Sequence, residues 1–376
     1  MLDLLQDKPM HPDLLYQIAL TMIPSIGPVQ ARILLEHLEP AAIFRSEKVL
    51  LEKIDGIGSF RAGQISGFRD FPLAEKECSF VERYGITPLF IGAAGYPRRL
   101  MNCNDAPPLL YYKGSANLDQ ERIIAVIGTR SSTVYGKQVT ENLISGLRAQ
   151  GIMVVSGLAF GIDSIAHRCS IKHGLATVGV LGHGLDQVYP PENKSLAKDM
   201  LENGGGLLTE FMSNTRPDRY NFPLRNRIVA GLSDAVIVCE THSRGGSLIT
   251  AELANGYNRE VFAFPGRVND PGSTGCNRLI RQNKAVLLES ATALLELMNW
   301  ESRDTESKGM EGKTADLEKN EQQLFDILKN RETCSLDELY RETSLETSLV
   351  AGAILGLELK NLLLSLPGKL YRLNHG

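Results

Sequence analysis

The stretch IIAVIGTRSSTVYGKQVTENLISGLRAQGIMVVSGLAFGID, Ile123 to Asp163, decides the fold class. It opens with an apolar run, turns at Gly128, Thr129 and Arg130, and continues at helical period to Gly151. A second apolar run, IMVVS, reaches Ser156, Gly157 and another glycine-bearing turn. Neither run alternates apolar with polar residues, so neither has a face meant for water. Strand, helix and strand, with the strands apolar throughout, is the pattern of a parallel sheet covered on both sides.

Further along, ATVGVLG, GLLTE, DAVIVCE, EVFAFPG and AVLLES are runs of the same kind, and GIDSIAHRCSIKHG has helical period. The expected fold is therefore α/β, a doubly wound parallel sheet. Ligands of such sheets lie beyond the carboxyl ends of the strands. Glycines and polar residues gather there: GTR, SGLAFGID, GHGLDQVYPPEN, THSRGGSLITAE and FPG each close a strand. Glycine lets a backbone N–H approach a phosphate, and a following helix N-terminus adds a favourable dipole. Arg130 and Arg244 stand just before helix starts and add full charges. An anionic ligand is the expectation for this edge.

The segment FPLRNRIVAGLS, Phe222 to Ser233, precedes the fifth of these strands. Helical spacing puts Leu224, Ile228 and Leu232 on one apolar face and Asn226 nearly opposite, flanked by Arg225 and Arg227. The two arginines and Asn226 are thus expected to leave the packed side. Arg227 lies only about 60° from Leu224 by this spacing, so it is also read as a brace while Arg225 meets the ligand.

Signatures of catalysis are missing. GTRSSTVYG has one glycine at the turn where a dinucleotide fold needs G-x-G-x-x-G, and no P-loop pattern occurs. No HExxH is present, Ser247 lacks the GxSxG elbow, and carboxylates are scattered. His167 follows Asp163 by four residues, so a hydrogen bond between them within the helix is expected. RGGSLITAE is similar to the PGGxGTxxE loop of lysine-decarboxylase-like nucleotide phosphoribohydrolases, but Leu248-Ile249 replace Gly-Thr and Thr250 is displaced by one. The expectation is no catalytic residue, no cofactor and no metal, with a nucleotide N-glycosidic hydrolase as the alternative.

The chain has 376 residues, 43% of them hydrophobic and 22% charged, which suits two or three soluble domains. No apolar run approaches the roughly 20 residues that span a bilayer, so no membrane is expected as partner. MLDLLQDKPMHPDLL, with its acids and Pro, does not read as a signal peptide. The six cysteines form no CxxC pair, which favours reduced thiols and a cytoplasmic protein. Net charge is −4, and residues 121–300 carry 18 Lys/Arg against 16 Asp/Glu. Attraction of a polyanion must come from a local concentration of charge.

Upstream, IPSIGPVQARIL from Ile23 aligns with IDGIGSFRAGQI from Ile54 at a constant offset of 31. Each copy has an apolar residue, a turn ending in glycine, and a small residue four positions into the next helix. This resembles the helix-hairpin-helix motif, a SAM-like helical domain that can meet phosphates through the N–H groups of its glycine turns. Close packing of two helices explains the same pattern, and bases are scarce near both turns, so two readings stand.

Downstream, ESRDTESKGMEGKTADLEKN, residues 301–320, is charged and poor in large apolar residues, as a flexible linker is. EQQLFDILKN, SLDELYRETS and SLETSLVAGAILGLELKN then read as three helices, and LLLSLPGKLYRL as a hairpin turning at Pro367-Gly368. Three helices and a hairpin is the winged-helix plan. A duplex reader wants Arg, Lys or Asn on the third helix, but this one offers Glu346, Glu358 and Lys360. A protein-docking or auxiliary role is expected.

VIGTR, SGLAFGID…AH, GHGLDQVYPPENK, FPLRNRIVAGLS, GGSLITAELA, VFAFPG and GSTGCNRLI follow in the order and spacing of the DprA/Smf family (DNA-processing protein A). ITPLFIGAAGYPRRL…DAPPLLYYKG resembles that family's lead-in to the sheet. The resemblance is dense over residues 80–300. It implies an extended Rossmann-like domain over 76–300, a helical domain over 1–75 and a winged helix over 321–376. It further implies a homodimer, joined through the Rossmann-like domain, that binds single-stranded DNA and helps load the RecA recombinase in natural transformation. The strand's pocket would include Arg130, Phe222, Arg225, Asn226, Arg227, Gly246 and Ser247. With the neighbouring loops, the candidate site is completed by Gly128, Thr129, Ser156, Gly157, Phe160, Arg244 and Gly245. Where many relatives have a basic residue in SGLA[R/K]G, this chain has Phe160. That ring is a second stacking surface, a lost phosphate contact, or a residue buried against the sheet edge.

Overall fold

The computed structural model describes residues 12–300, 317–329, 333–343, 345–360, 362–366 and 370–373. Residues up to Ala293 make one compact unit and those from Leu294 another. Seven apolar runs become the parallel strands β3 (Arg122–Gly128), β4 (Ile152–Ser156), β5 (Thr177–Val180), β6 (Gly206–Thr209), β7 (Ala235–Glu240), β8 (Glu260–Ala263) and β9 (Val286–Leu287). Two more strands precede them, β1 (Thr87–Phe90) and β2 (Leu109–Gly114); β2 runs antiparallel to β6, and β1 antiparallel to β2. They come from the lead-in segment, which periodicity alone had not marked as strand. The sheet order is β1-β2-β6-β5-β4-β3-β7-β8-β9. Ile123, Ile124, Ala125 and Val126 are all fully buried, so β3 is covered on both faces as its composition requires.

The helices of the first unit are α1 (Pro12–Met22), α2 (Pro28–His37), α3 (Pro40–Arg45), α4 (Lys48–Glu52), α5 (Gly58–Ser66), α6 (Phe71–Arg83) and α7 (Arg98–Met101). Within the sheet region follow α8 (Val134–Gly146), α9 (Ile162–Lys172), α10 (Lys194–Glu202), α11 (Asn221–Leu232), α12 (Ser247–Gly256) and α13 (Thr274–Arg281). The duplicated segment is duplicated in its backbone. Ile26 N–H donates to the Ile23 carbonyl at 3.2 Å, and Ile57 to Ile54 at 3.1 Å. Ser25 and Gly56, 31 apart, both have positive φ (67° and 84°), and Ala31 and Ala62 are both buried. The copies diverge at the glycines, where Gly58 has φ 63° and Gly27 has −88°. Arg61 bridges the two turns, donating to the Ser25 carbonyl at 3.2 Å and to Gly56 at 3.0 Å. One of the few bases near these turns therefore ties them together.

The expected face of α11 is corrected. Leu224 is 49% exposed, while Arg225 and Arg227 are 4% and 6% exposed. From Ile228 to Leu232 every residue is buried. The helix is enclosed by α7, α12 and the strand ends, so a one-sided apolar stripe does not describe it. At its N-terminal end the neighbours are the carbonyls of Val180 and Asp105 and the carboxylate of Glu210, which take arginine donors rather than leucine.

In the second unit, helices lie at Lys319–Leu328, Leu336–Thr343 and Thr347–Leu359, and strands Leu363–Leu366 and Leu370–Leu373 pair antiparallel. A short strand at Cys334–Ser335 joins that pair. This is the expected winged-helix plan. The expected turn residues Pro367-Gly368 and residues 301–316 of the expected linker, 301–320, lie outside the described residues, and Lys319 and Asn320 at the end of that linker already belong to the first of these helices.

Candidate nucleic-acid interface

Among the parallel strands the order reverses between β3 and β7, each of which sends its connection the opposite way. A doubly wound sheet opens its ligand crevice at such a point. The register slips there: Ile127 pairs with Val238, but Gly128 pairs with Glu240. Thr129 N–H donates to the Glu240 carbonyl at 2.8 Å and holds the two strand ends together. The Glu240 carboxylate accepts from the Thr133 N–H at 2.9 Å and its hydroxyl at 2.6 Å, anchoring the N-cap of α8.

A cleft of about 530 Å³ occupies this crevice. Gly128, Thr129 and Arg130 form one wall; Phe222, Arg225 and Asn226 form another; Gly245, Gly246 and Ser247 lie at the start of α12. Gly157 completes the floor, and a Cβ there would collide with the Arg225 guanidinium. Only glycine lets that guanidinium lie against the turn. A Cβ on Gly246 would meet nothing within 4 Å, so the backbone at the helix start is open to a ligand.

The cationic groups take different parts. Arg130 is exposed, and its guanidinium carbon stands 5.2 Å from the centre of the Phe222 ring. The Tyr189 ring lies 6.0 Å from Phe222 at 30°. Arg225 reaches inward and donates to the Val180 carbonyl at 2.6 Å. Burial lowers its pKa to about 10, opposed by Asp163, so it remains charged at neutral pH. Burial raises the Asp163 carboxyl, and the nearby Arg225 opposes that rise. Asn226 is half-buried and, among the described residues, its amide makes no hydrogen bond.

Four candidates stand elsewhere. Ser156 is fully buried and its hydroxyl donates to the Val126 carbonyl at 2.6 Å. Arg227 pairs with Glu210 and donates to the Asp105 carbonyl, which makes it an internal brace. Arg244 is exposed outside the cleft lining. Phe160 is 43% exposed, so it is not the buried ring. The expected Asp163–His167 bond is also absent. Thr177 Oγ1 donates to Val154 at 3.0 Å, so the His167 Nδ1–H donates to Thr177 at 2.7 Å, while Asp163 accepts from the Ala159 N–H. Position four residues on is within reach, but the ring finds its partner on β5.

The cleft also holds residues that sequence reading missed: Asp163, Arg219, Thr241 and His242. Arg219 lies over the Tyr220 ring at 4.7 Å and donates to its hydroxyl at 2.7 Å. A base three residues before Phe222 was the available signal. Thr241 and His242 directly follow the last residue of β7, where a crevice residue is expected. Among the described residues no cluster of His, Cys, Asp and Glu could hold a metal ion, and no helix is long and apolar enough to cross a membrane. All six cysteines are free and buried.

Fold and cleft together define a doubly wound anion-binding protein with an aromatic and an arginine at its switch point. The family model described as DNA recombination-mediator protein A matches residues 87–299, and one for the DprA winged helix domain matches 309–369. Protein Smf of a Synechocystis strain is 31% identical over 95% of this chain and 98% of its own. Among solved structures, DNA processing protein A of Streptococcus pneumoniae is 32% identical with a TM-score of 0.59, covering 76% of this chain and 96% of its own. DNA processing protein A of Helicobacter pylori, whose structure was described for its single-stranded DNA binding mode, is 30% identical with a TM-score of 0.52, covering 57% of this chain and 97% of its own. The chain belongs to the DNA recombination-mediator protein A family.

Proposed function

We propose that this protein binds single-stranded DNA in the switch-point cleft, shields incoming strands and helps load the RecA recombinase in transformation and recombination, without chemistry on the strand. The observation that carries the reading is the grouping of Arg130, Phe222, Asn226 and the open backbone at Gly246 in one cleft. Arginine and backbone N–H meet phosphates, the ring stacks on any base, and the amide of Asn226 meets sugar or base edge. The phosphate and stacking contacts select no sequence, which suits a general strand binder. The single-stranded DNA binding mode described for the Helicobacter relative supports the same use of this fold.

The sheet domain, residues 76–300, then carries the strand, preceded in the chain by the helical domain over 1–75. Homodimerisation through the sheet domain has a ready surface in β9, where Val286 and Leu287 are 44% and 41% exposed. The winged helix docks protein: Leu355 and Leu359 of its third helix are 57% and 78% exposed, and Lys360 donates to Glu321 at 2.6 Å. We place the protein in the cytoplasm, with no cofactor.

Binding of oligothymidylate and of a matching duplex across a salt series tests the reading. Preference for the single strand, with a log–log slope near −0.7 for each phosphate contact, is expected. Equal binding of both forms, together with release of base from AMP, would instead establish a nucleotide N-glycosidic hydrolase.

A further inference from the structure

Across Arg130 from the cleft lies a second groove of about 770 Å³, with Arg130 in its wall as well. Lys137 of α8, Phe160 of the loop after β4 and Arg168 of α9 frame it, together with Glu141 and Glu192. Arg168 is exposed and forms no ion pair among the described residues; Lys137 stands 3.8 Å from Glu141, their side chains 60% and 45% exposed. The loop is not free to tuck the Phe160 ring away. Leu158 has a φ of 55° and Gly161 of 72°, both left-handed. The Asn193 amide donates to the Leu158 carbonyl at 2.9 Å, and Asp163 accepts from the Ala159 N–H at 3.3 Å. Leu158 itself is fully buried. A pinned loop thus holds an aromatic ring in water at the lip of a groove with three cations.

An exposed ring gives up hydrophobic burial, and what an aromatic among cations takes is a flat base with its phosphates. A duplex keeps its bases stacked on each other and offers no open face to such a ring. We propose that Phe160 is a second stacking platform for the strand bound in the cleft. Nucleotides leaving Phe222 pass over Arg130, a base stacks on Phe160, and the next phosphates meet Arg168 and Lys137. This rests on the single-strand reading above and adds the direction and extent of the path.

The test titrates the full chain, as wild type, F160A, F160K and F160W, with oligothymidylates of about 4 and about 16 nucleotides. F160A is expected to lose roughly 5- to 100-fold in affinity for the long strand and nothing for the short one, at unchanged salt slope. F160K is expected to steepen the long-strand slope by about 0.7. F160W keeps its affinity, and the long strand alone quenches the fluorescence it adds to that of Trp300, the one natural tryptophan. Wild-type affinity in F160A, equal losses for both lengths, an unaltered slope in F160K, or unquenched F160W would each overturn the second platform while the cleft reading stands. A wild type that does not bind either strand overturns both. Circular dichroism of each variant separates lost binding from lost fold.

Discussion

Arg225, Asn226 and Arg227 are neighbours in sequence and do three different things. Arg227 forms a buried pair with Glu210, their side chains 7% and 15% exposed. Removing one partner of such a pair leaves a buried charge and costs about 3–5 kcal/mol. R227A is therefore expected to lower stability by that order, read by urea denaturation, and R225A to destabilise as well. N226A is expected to weaken strand binding with stability unchanged. Equal stability of R227A and wild type would show that the pair does not hold the helix end. His167 gives a pH-dependent case. Its Nδ1–H serves Thr177, its Nε2 is buried without a partner among the described residues, and burial, with Arg225 and Arg168, lowers its pKa from 6.5 to about 3. Between those values the unfolded chain binds a proton that the folded chain does not, so stability falls as pH falls from 6.5 towards 3. H167N, which keeps an N–H for Thr177, is expected to flatten that fall by about 1.4 kcal/mol per pH unit. Parallel stability–pH curves for the two proteins would contradict it.

Elements differ in how far their periodicity describes them. The strands are continuous apolar runs, and a run buried on both faces has no phase to misjudge, so all seven parallel strands were legible. The helix α11 is short, and neighbours on several sides bury it, so its apolar phase misled: Leu224 faces water and two arginines face inward. Strands β1 and β2 were hidden because pairing, of β2 to β6 and of β1 to β2, rather than alternation, makes them part of the sheet. The third winged helix shows the opposite case, since its lack of Lys and Arg was plain in the sequence. A chain ending at residue 300 is accordingly expected to keep its fold by circular dichroism and its affinity for oligothymidylate. A tenfold loss, about 1.4 kcal/mol, would give the winged unit a part in strand binding.

At the scale of the molecule, the sequence by itself determined the doubly wound class, the glycine-rich edge, the repeated hairpin and the winged-helix plan. Those are properties of local period and of turn residues, and local pattern is what a sequence carries directly. It also named ten of the residues that line the cleft, because strand ends in this fold are where ligands go. Tertiary structure alone decided which polar groups face that cleft. Whether an arginine meets a ligand or a carbonyl depends on what the sheet order places beside it. The order reversal between β3 and β7 brings residues 128–130 and 241–247 together, set Arg225 against Val180, and left Arg130 between two grooves. Neighbours far apart in the chain fix burial and partner for each polar side chain, and no spacing along the sequence encodes them.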